Sequence, residues 1–319
     1  MDTSYGIICS GLTDKTQFSF ISSNSSFTKC ERKPLKFSYV SSFIYHINSN
    51  SPTTYDHITF GTQTQNLPTS ETYFTFNFCS WDNCCSEPAG AISCDQSGAS
   101  LIVMKCKFNN CNSTSGVTAT QAFNGGAIYV NGLNTFIACS SLFVNCRAPQ
   151  TNHDGGGSGG IYIRSIKTVF SLSTSDFISC FTGSSGAGVF FYSSSNPKMD
   201  IEIITDCRCI QCRAQDQTPD GGGMCLWEWM ETLNCINCLF SGCTSTGVGG
   251  GLDFYFGTNS ESYPVKFCFF VGNSGTTGND AFLYLLPNKE NIVLLHCFST
   301  ISSNRIAYYL NSNVHITNN

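Results

Sequence analysis

The sequence predicts an all-β chain, a right-handed single-stranded parallel β-helix of about ten coils with about three short strands per coil. Two interleaved repeats and the lack of any sustained helical period predict it. One repeat reads Cys or Ser, any, Phe, any, any, Cys. Its copies are Cys79-Trp81-Cys84, Cys106-Phe108-Cys111, Ser141-Phe143-Cys146, Ser175-Phe177-Cys180, Cys207-Cys209-Cys212, Cys238-Phe240-Cys243 and Cys268-Phe270-Asn273. Ser25-Phe27-Cys30 is a fainter early copy and Cys297-Ser299-Ser302 a fading last one. From Cys84 onward the final positions are spaced 27, 35, 34, 32, 31, 30 and 29 residues apart. A fixed period in that range means stacked units, each burying its apolar face against its neighbours.

The second repeat is a small residue, then apolar, any, apolar. The small column is Ala91, Ala127, Gly160, Gly188, Gly223, Gly251, Ala281 and Ala307. The next column is Ile92, Ile128, Ile161, Val189, Met224, Leu252, Phe282 and Tyr308. Two residues on come Cys94, Val130, Ile163, Phe191, Leu226, Phe254, Tyr284 and Leu310. A gap of two places both apolar columns on one side of a strand, and that side is the core. A further apolar segment precedes each Phe signature, as in Leu101–Met104. Gly, Ser, Asn and Thr turns separate the segments, residues that accept tight or left-handed backbone. Propeller blades would need about four strands in roughly 40–50 residues. Handedness follows from the crossover preference of parallel strands.

Gly125-Gly126-Ala127-Ile128 together with Phe270-Val271-Gly272-Asn273 resembles the repeat pair of chlamydial-type polymorphic outer-membrane proteins. Large protist families of right-handed β-helix surface proteins carry similar repeats. The resemblance covers about residues 75–310, with Cys replacing Asn in most copies. It implies the fold, an adhesin-like role and a surface or secreted location. The signal peptide and transporter barrel of the bacterial members have no counterpart here.

Residues 1–72 are expected to be an irregular cap or degenerate coils, and 73–319 the repeats. The last segment, Val314–Thr317, looks like a strand cut off mid-coil. Either the reading frame is part of a longer array, or the open coil self-associates. With a net charge of −5, 12% charged residues and no basic stripe, a nucleic-acid partner is not expected. No apolar run is long enough to span a bilayer, and the first residues lack the pattern of a secretory signal. The sequons at Asn24 and Asn112 permit glycosylation.

Twenty cysteines leave three states open: stacked free thiols, disulfides or metal ligands. Cys84, Cys111, Cys146, Cys180, Cys212 and Cys243 form one column, and the in-register stack favours free thiols. Cys209-x-x-Cys212 and Cys235-x-x-Cys238 approach zinc-ribbon spacing, but three of these four already belong to repeat columns. No metal site and no cofactor is therefore expected, with Cys207 and Cys235 the residual candidates.

The column between the apolar ones should point outward: Ser93, Tyr129, Tyr162, Phe190, Cys225, Asp253, Leu283 and Tyr309. Flanking small residues should leave its rings uncovered. Tyr129, Tyr162, Phe190 and Trp227, with Trp229 beyond, are the candidate binding face for a glycan or protein. Catalytic residues are not expected. The runner-up reading is a polysaccharide lyase or hydrolase using Asp154, Asp216 and Asp220 from two Gly-rich loops beside His153. That corner lacks neighbouring basic residues, and Asp176, Asp206, Asp253 and Asp280 fall in different columns. Gly155-x-Gly157-x-x-Gly160 precedes a strand rather than a helix, so it is no dinucleotide fingerprint.

Overall fold

The computed structural model describes residues 18–22, 25–28, 44–47, 53–67, 72–114, 124–149, 157–192, 199, 201–215, 220–228, 233–256, 263–285, 292–295, 297–300 and 306–310. The chain divides into two units, Met1–Pro52 and Thr53–Asn319. In the first, Phe18–Ser22 pairs antiparallel with both Ser25–Thr28 and Ile44–Ile47. Phe27 thus lies in an antiparallel ladder, and the early copy Ser25-Phe27-Cys30 is not a rung of the repeat.

The second unit is a parallel β-solenoid, as the repeats predict. Its strands form a broad sheet of sixteen, a second sheet of nine and a third of six. One coil runs through Ile92–Asp95 and Ser100–Met104 in the broad sheet, Lys107–Asn109 in the second and Asn112–Ser113 in the third. In two coils the broad-sheet strands fuse into Ile128–Cys139 and Ile161–Ser173. Six coils contribute to all three sheets, fewer than the expected count. Thr53–Asp56 and Thr59–Gly61 already pair in parallel with the next coil.

Two corners per coil explain the first repeat. At the first, a residue with positive φ (Phe78, Lys105, Ser140, Thr174, Asp206, Asn237 or Phe267) precedes the opening Cys or Ser. At the second, Asn83, Asn110, Asn145, Ser179, Gln211, Gly242 or Gly272 does so before the closing Cys or Asn. Asn and Gly adopt this left-handed backbone at little cost; Phe and Lys adopt it at a cost that the rest of the coil must offset. The sharp turn leaves carbonyls facing inward. The thiol of Cys106 donates to Met104 O at 3.2 Å, the hydroxyl of Ser141 to Cys139 O at 3.1 Å and that of Ser175 to Ser173 O at 2.9 Å. Cys and Ser interchange here because each is a small side chain that brings a donor into a buried corner.

The Phe between the corners points into the core. Phe60, Trp81, Phe108, Phe143 and Phe177 stack at centroid distances of 4.7, 4.7, 4.6 and 4.7 Å. Cys209 takes the next rung and Phe240 and Phe270 resume the stack at 5.1 Å. The coil repeat matches the thickness of a π-stack, so each ring is buried by its two neighbours, worth roughly 1.5–3 kcal/mol per ring.

The second repeat holds as far as Leu252, which pairs with Ala281 rather than Phe282. The Ala281 coil is therefore shifted by one residue from the alignment read in the sequence, and the last, where Ile306 rather than Tyr308 continues the column, by two. Ala281 and Leu283 are inward, Phe282 lies in the outward register, and the small-residue position falls to Asp280. A slip of one residue reverses every side chain of a strand. Buried Asp280 accepts from Asn273 Nδ2 at 3.0 Å and from the Ser299 hydroxyl. Asn273 in turn donates to Phe240 O at 3.0 Å and accepts from Cys243 N at 2.9 Å. This polar pair takes over the closing-thiol position in the coil where the small residue gives way to an acid.

Candidate functional site

The outer side of the broad sheet carries two columns in parallel register. One is Ser93, Tyr129, Tyr162, Phe190, Cys225, Asp253 and Phe282. The other, two residues on, is Asp95, Asn131, Arg164, Tyr192, Trp227, Tyr255 and Tyr284.

The first column is not the open strip the sequence suggests. Tyr129, Tyr162 and Phe190 are 6%, 0% and 5% exposed, and with Ala89 and Cys225 they form a second hydrophobic cluster, joined by half-buried Tyr192. The Gly-rich turn entering each strand folds back over this column. A Cβ on Gly125 would lie 3.0 Å from Tyr129 N, one on Gly221 2.9 Å from Cys225 Cβ, and one on Gly249 3.1 Å from Asp253 Cβ. The small residues that were expected to leave the rings uncovered instead let the turns pack tightly against this column. Burial and the neighbouring Asp95 charge push the Tyr129 phenol up to about 12.

The exposed aromatics are those of the second column. Trp227 is 40% exposed, and Tyr255 and Tyr284 are half-buried. Phe190, Trp227 and Tyr255 follow one another at 6.4 and 6.2 Å, and Tyr255 stacks on Tyr284 at 4.4 Å. Of the four predicted ligand residues, Trp227 alone presents a surface; Trp229 lies outside the described residues. Tyr255 was missed, although with Tyr192 and Trp227 it lies two residues after the column that was read; Tyr284, read as an inward residue, joins this outer column because its coil is shifted by one.

Beneath Trp227 lies a buried carboxylate. The Cys225 thiol donates to Asp253 Oδ2 at 3.4 Å. Burial, then the charge of Asp220, push the Asp253 carboxyl well up, and burial raises Asp220 to about 6. Asp253 was expected to stand apart from the acidic corner, yet it interacts with Asp220. The partners Asp154 and Asp216, and His153, lie outside the described residues. Asp176 is ion-paired with Arg208, and Asp206 accepts from Asn237 and Thr205; neither joins the pair.

Compared with known proteins, the chain matches no family model, no curated protein and no solved structure. Its geometry alone carries the functional reading. Among the described residues no helix is long and apolar enough to cross a membrane.

The cysteine columns follow the free-thiol alternative. Cys84, Cys111, Cys146, Cys180, Cys212 and Cys243 are buried free thiols. Cys212 donates to Phe177 O and Cys243 to Cys209 O, both at 3.3 Å. The two C-x-x-C pairs do not meet as a ribbon. Cys209 and Cys212 bracket the second corner at Gln211, whereas Cys235 and Cys238 bracket the first at Asn237. Asn112, half-buried in the third sheet, has a buried amide oxygen with no hydrogen-bond partner, a poor acceptor site for a glycan.

Proposed function

We propose that this solenoid is a non-enzymatic binding protein whose ligand face is the exposed aromatic column Trp227, Tyr255 and Tyr284. The observation that carries this reading is the row of rings on successive coils, with Trp227 40% exposed on a rigid sheet. Flat, pre-ordered aromatic surfaces stack on sugar rings without first paying for side-chain ordering. A glycan ligand fits this strip, and the repeat resemblance to polymorphic outer-membrane proteins supports an adhesin-like, surface-exposed setting.

A panel of host and plant polysaccharides, scored for retention and fragment release together, tests the reading. Retention without cleavage, lost in Trp227→Ala and Tyr255→Ala but kept in a folded Asp253→Asn, is the expected result. The Asp220–Asp253 pair supports a second reading, a carbohydrate-active enzyme. Released oligosaccharides that disappear in Asp220→Ala would establish it and overturn the first.

A further inference from the structure

One position in the core departs from its column without any reason in the repeat. Val103, Ala138, Leu172 and Ile204 precede Cys235 in register, and Val265 follows it. Aliphatic or aromatic side chains fill this place in the other described coils. Cys235 lies beside the first-corner thiols of its own coil and the next, Cys238 and Cys268, and all three are at most 1% exposed. Their three sulfurs lie within 4.8 Å of one another, with Cys235 Sγ and Cys268 Sγ 4.0 Å apart. It is the one such triangle found among the described residues. Elsewhere the corner column supplies a single Cys or Ser per coil, each satisfied by carbonyls.

We propose that Cys235, Cys238 and Cys268 bind one thiophilic d10 cation, zinc or copper(I), with Cys297 as the fourth ligand. Sulfurs about 2.3 Å from a zinc ion are about 3.8 Å apart in a tetrahedron, so the observed 4.0 Å pair needs only a small contraction. Cys297 follows Cys268 in the same corner column one coil on; its thiol now donates to Val265 O at 3.5 Å, outside the triangle, and must swing inward to close the site. It is only partly buried, which gives the cation a way in. The left-handed residue Asn237 (φ 55°) turns the chain between Cys235 and Cys238 so that both sulfurs face the core. Binding releases the thiol protons to solvent, and affinity rises with pH. Soft sulfur ligands and a dry core disfavour magnesium and calcium.

Protein purified under reducing conditions is dialysed separately against zinc and against copper(I) with a weak chelator. Bound metal per chain is then measured by elemental analysis. About one equivalent is expected with at least one of the two metals, and the two dialyses identify which. Cys235→Val, which restores the aliphatic residue of the neighbouring coils, should reduce it at least tenfold. Cys94→Val, a core cysteine whose neighbour in register is Val130, should retain it. If Cys235→Val fails to fold, Cys297→Ser tests the same site from its accessible edge and should give up the metal to at least tenfold less chelator. Less than a tenth of an equivalent in the parent protein overturns the proposal. So does equal loss in Cys94→Val, or a Cys235–Cys268 disulfide in protein handled without oxidant.

Discussion

The outer face of the broad sheet closes over one set of rings and leaves another open. Tyr129, Tyr162 and Phe190 are buried, while Trp227, Tyr255 and Tyr284, two residues further along their strands, meet solvent to differing degrees. Both sets are aromatic, both stack across coils, and both alternate out of the core. What separates them is packing: the first column joins Ala89 and Cys225 in a buried cluster, with the Gly-rich turns pressed against its strands. Exposure on this face is decided by tertiary packing, not by the residue or its periodicity.

The most damaging way to break the closed column is through its turn. Gly125→Ala places a Cβ 1.8 Å from Ile128 O, and backbone cannot yield to it. Loss of cooperative folding is expected in thermal melts. Gly272→Ala has nothing within 4 Å and only its positive φ of 62° against it, so its cost should be about 1–2 kcal/mol. Next in size is the contrast between the two columns themselves. Tyr162→Ala should lower stability to urea by about 3–5 kcal/mol, and Trp227→Ala by less than about 1 kcal/mol. Equal losses would show that the open column is structural and would remove the proposed ligand face.

The acids under Trp227 give a pH signature. A carboxyl whose folded pKa is raised binds its proton more tightly in the native state, so its contribution falls as pH rises. For Asp220, raised from 3.8 to about 6, stability should decline between about pH 4 and 6, and Asp253 extends the trend upward. Urea midpoints at successive pH values should flatten in Asp220→Asn and Asp253→Asn. The smallest effect is expected inside the core. Trp81 has a buried indole N–H with no hydrogen-bond partner, and Phe takes this rung in most other coils. Trp81→Phe should change stability by less than about 1 kcal/mol, because relief of the orphan donor offsets the lost volume.

Much of the solenoid was legible because its cause is periodic. A Phe every coil, flanked by small donors, can be recognised from spacing alone, and the rungs from Trp81 to Phe270 stand where the repeat placed them. The misread coils are those where a local signal was ambiguous. Ala281 looked like the small residue of its unit, but Asp280 takes that place because Asn273 and Ser299 supply its hydrogen bonds. The left-handed corners were half visible: Asn83, Asn110 and Asn145 are residues that favour such backbone, whereas Phe78 and Phe267 give no hint of it. For the candidate site, Trp227 was legible and Tyr255 was readable from the same period two residues away, whereas Tyr284 was read as inward because the one-residue shift of its coil leaves no mark in the period.

The sequence by itself determined the parallel stack, its inward columns and the pairing of coils, because these follow from alternation and a fixed repeat. Tertiary structure decided which outward rings are covered, that Asp220 and Asp253 feel each other, and that Cys235 joins two thiols from successive corners. Each of those depends on residues brought together across coils by turns of variable length. Periodicity along one chain gives the face and the rung of a side chain; it does not give what the next turn lays over it.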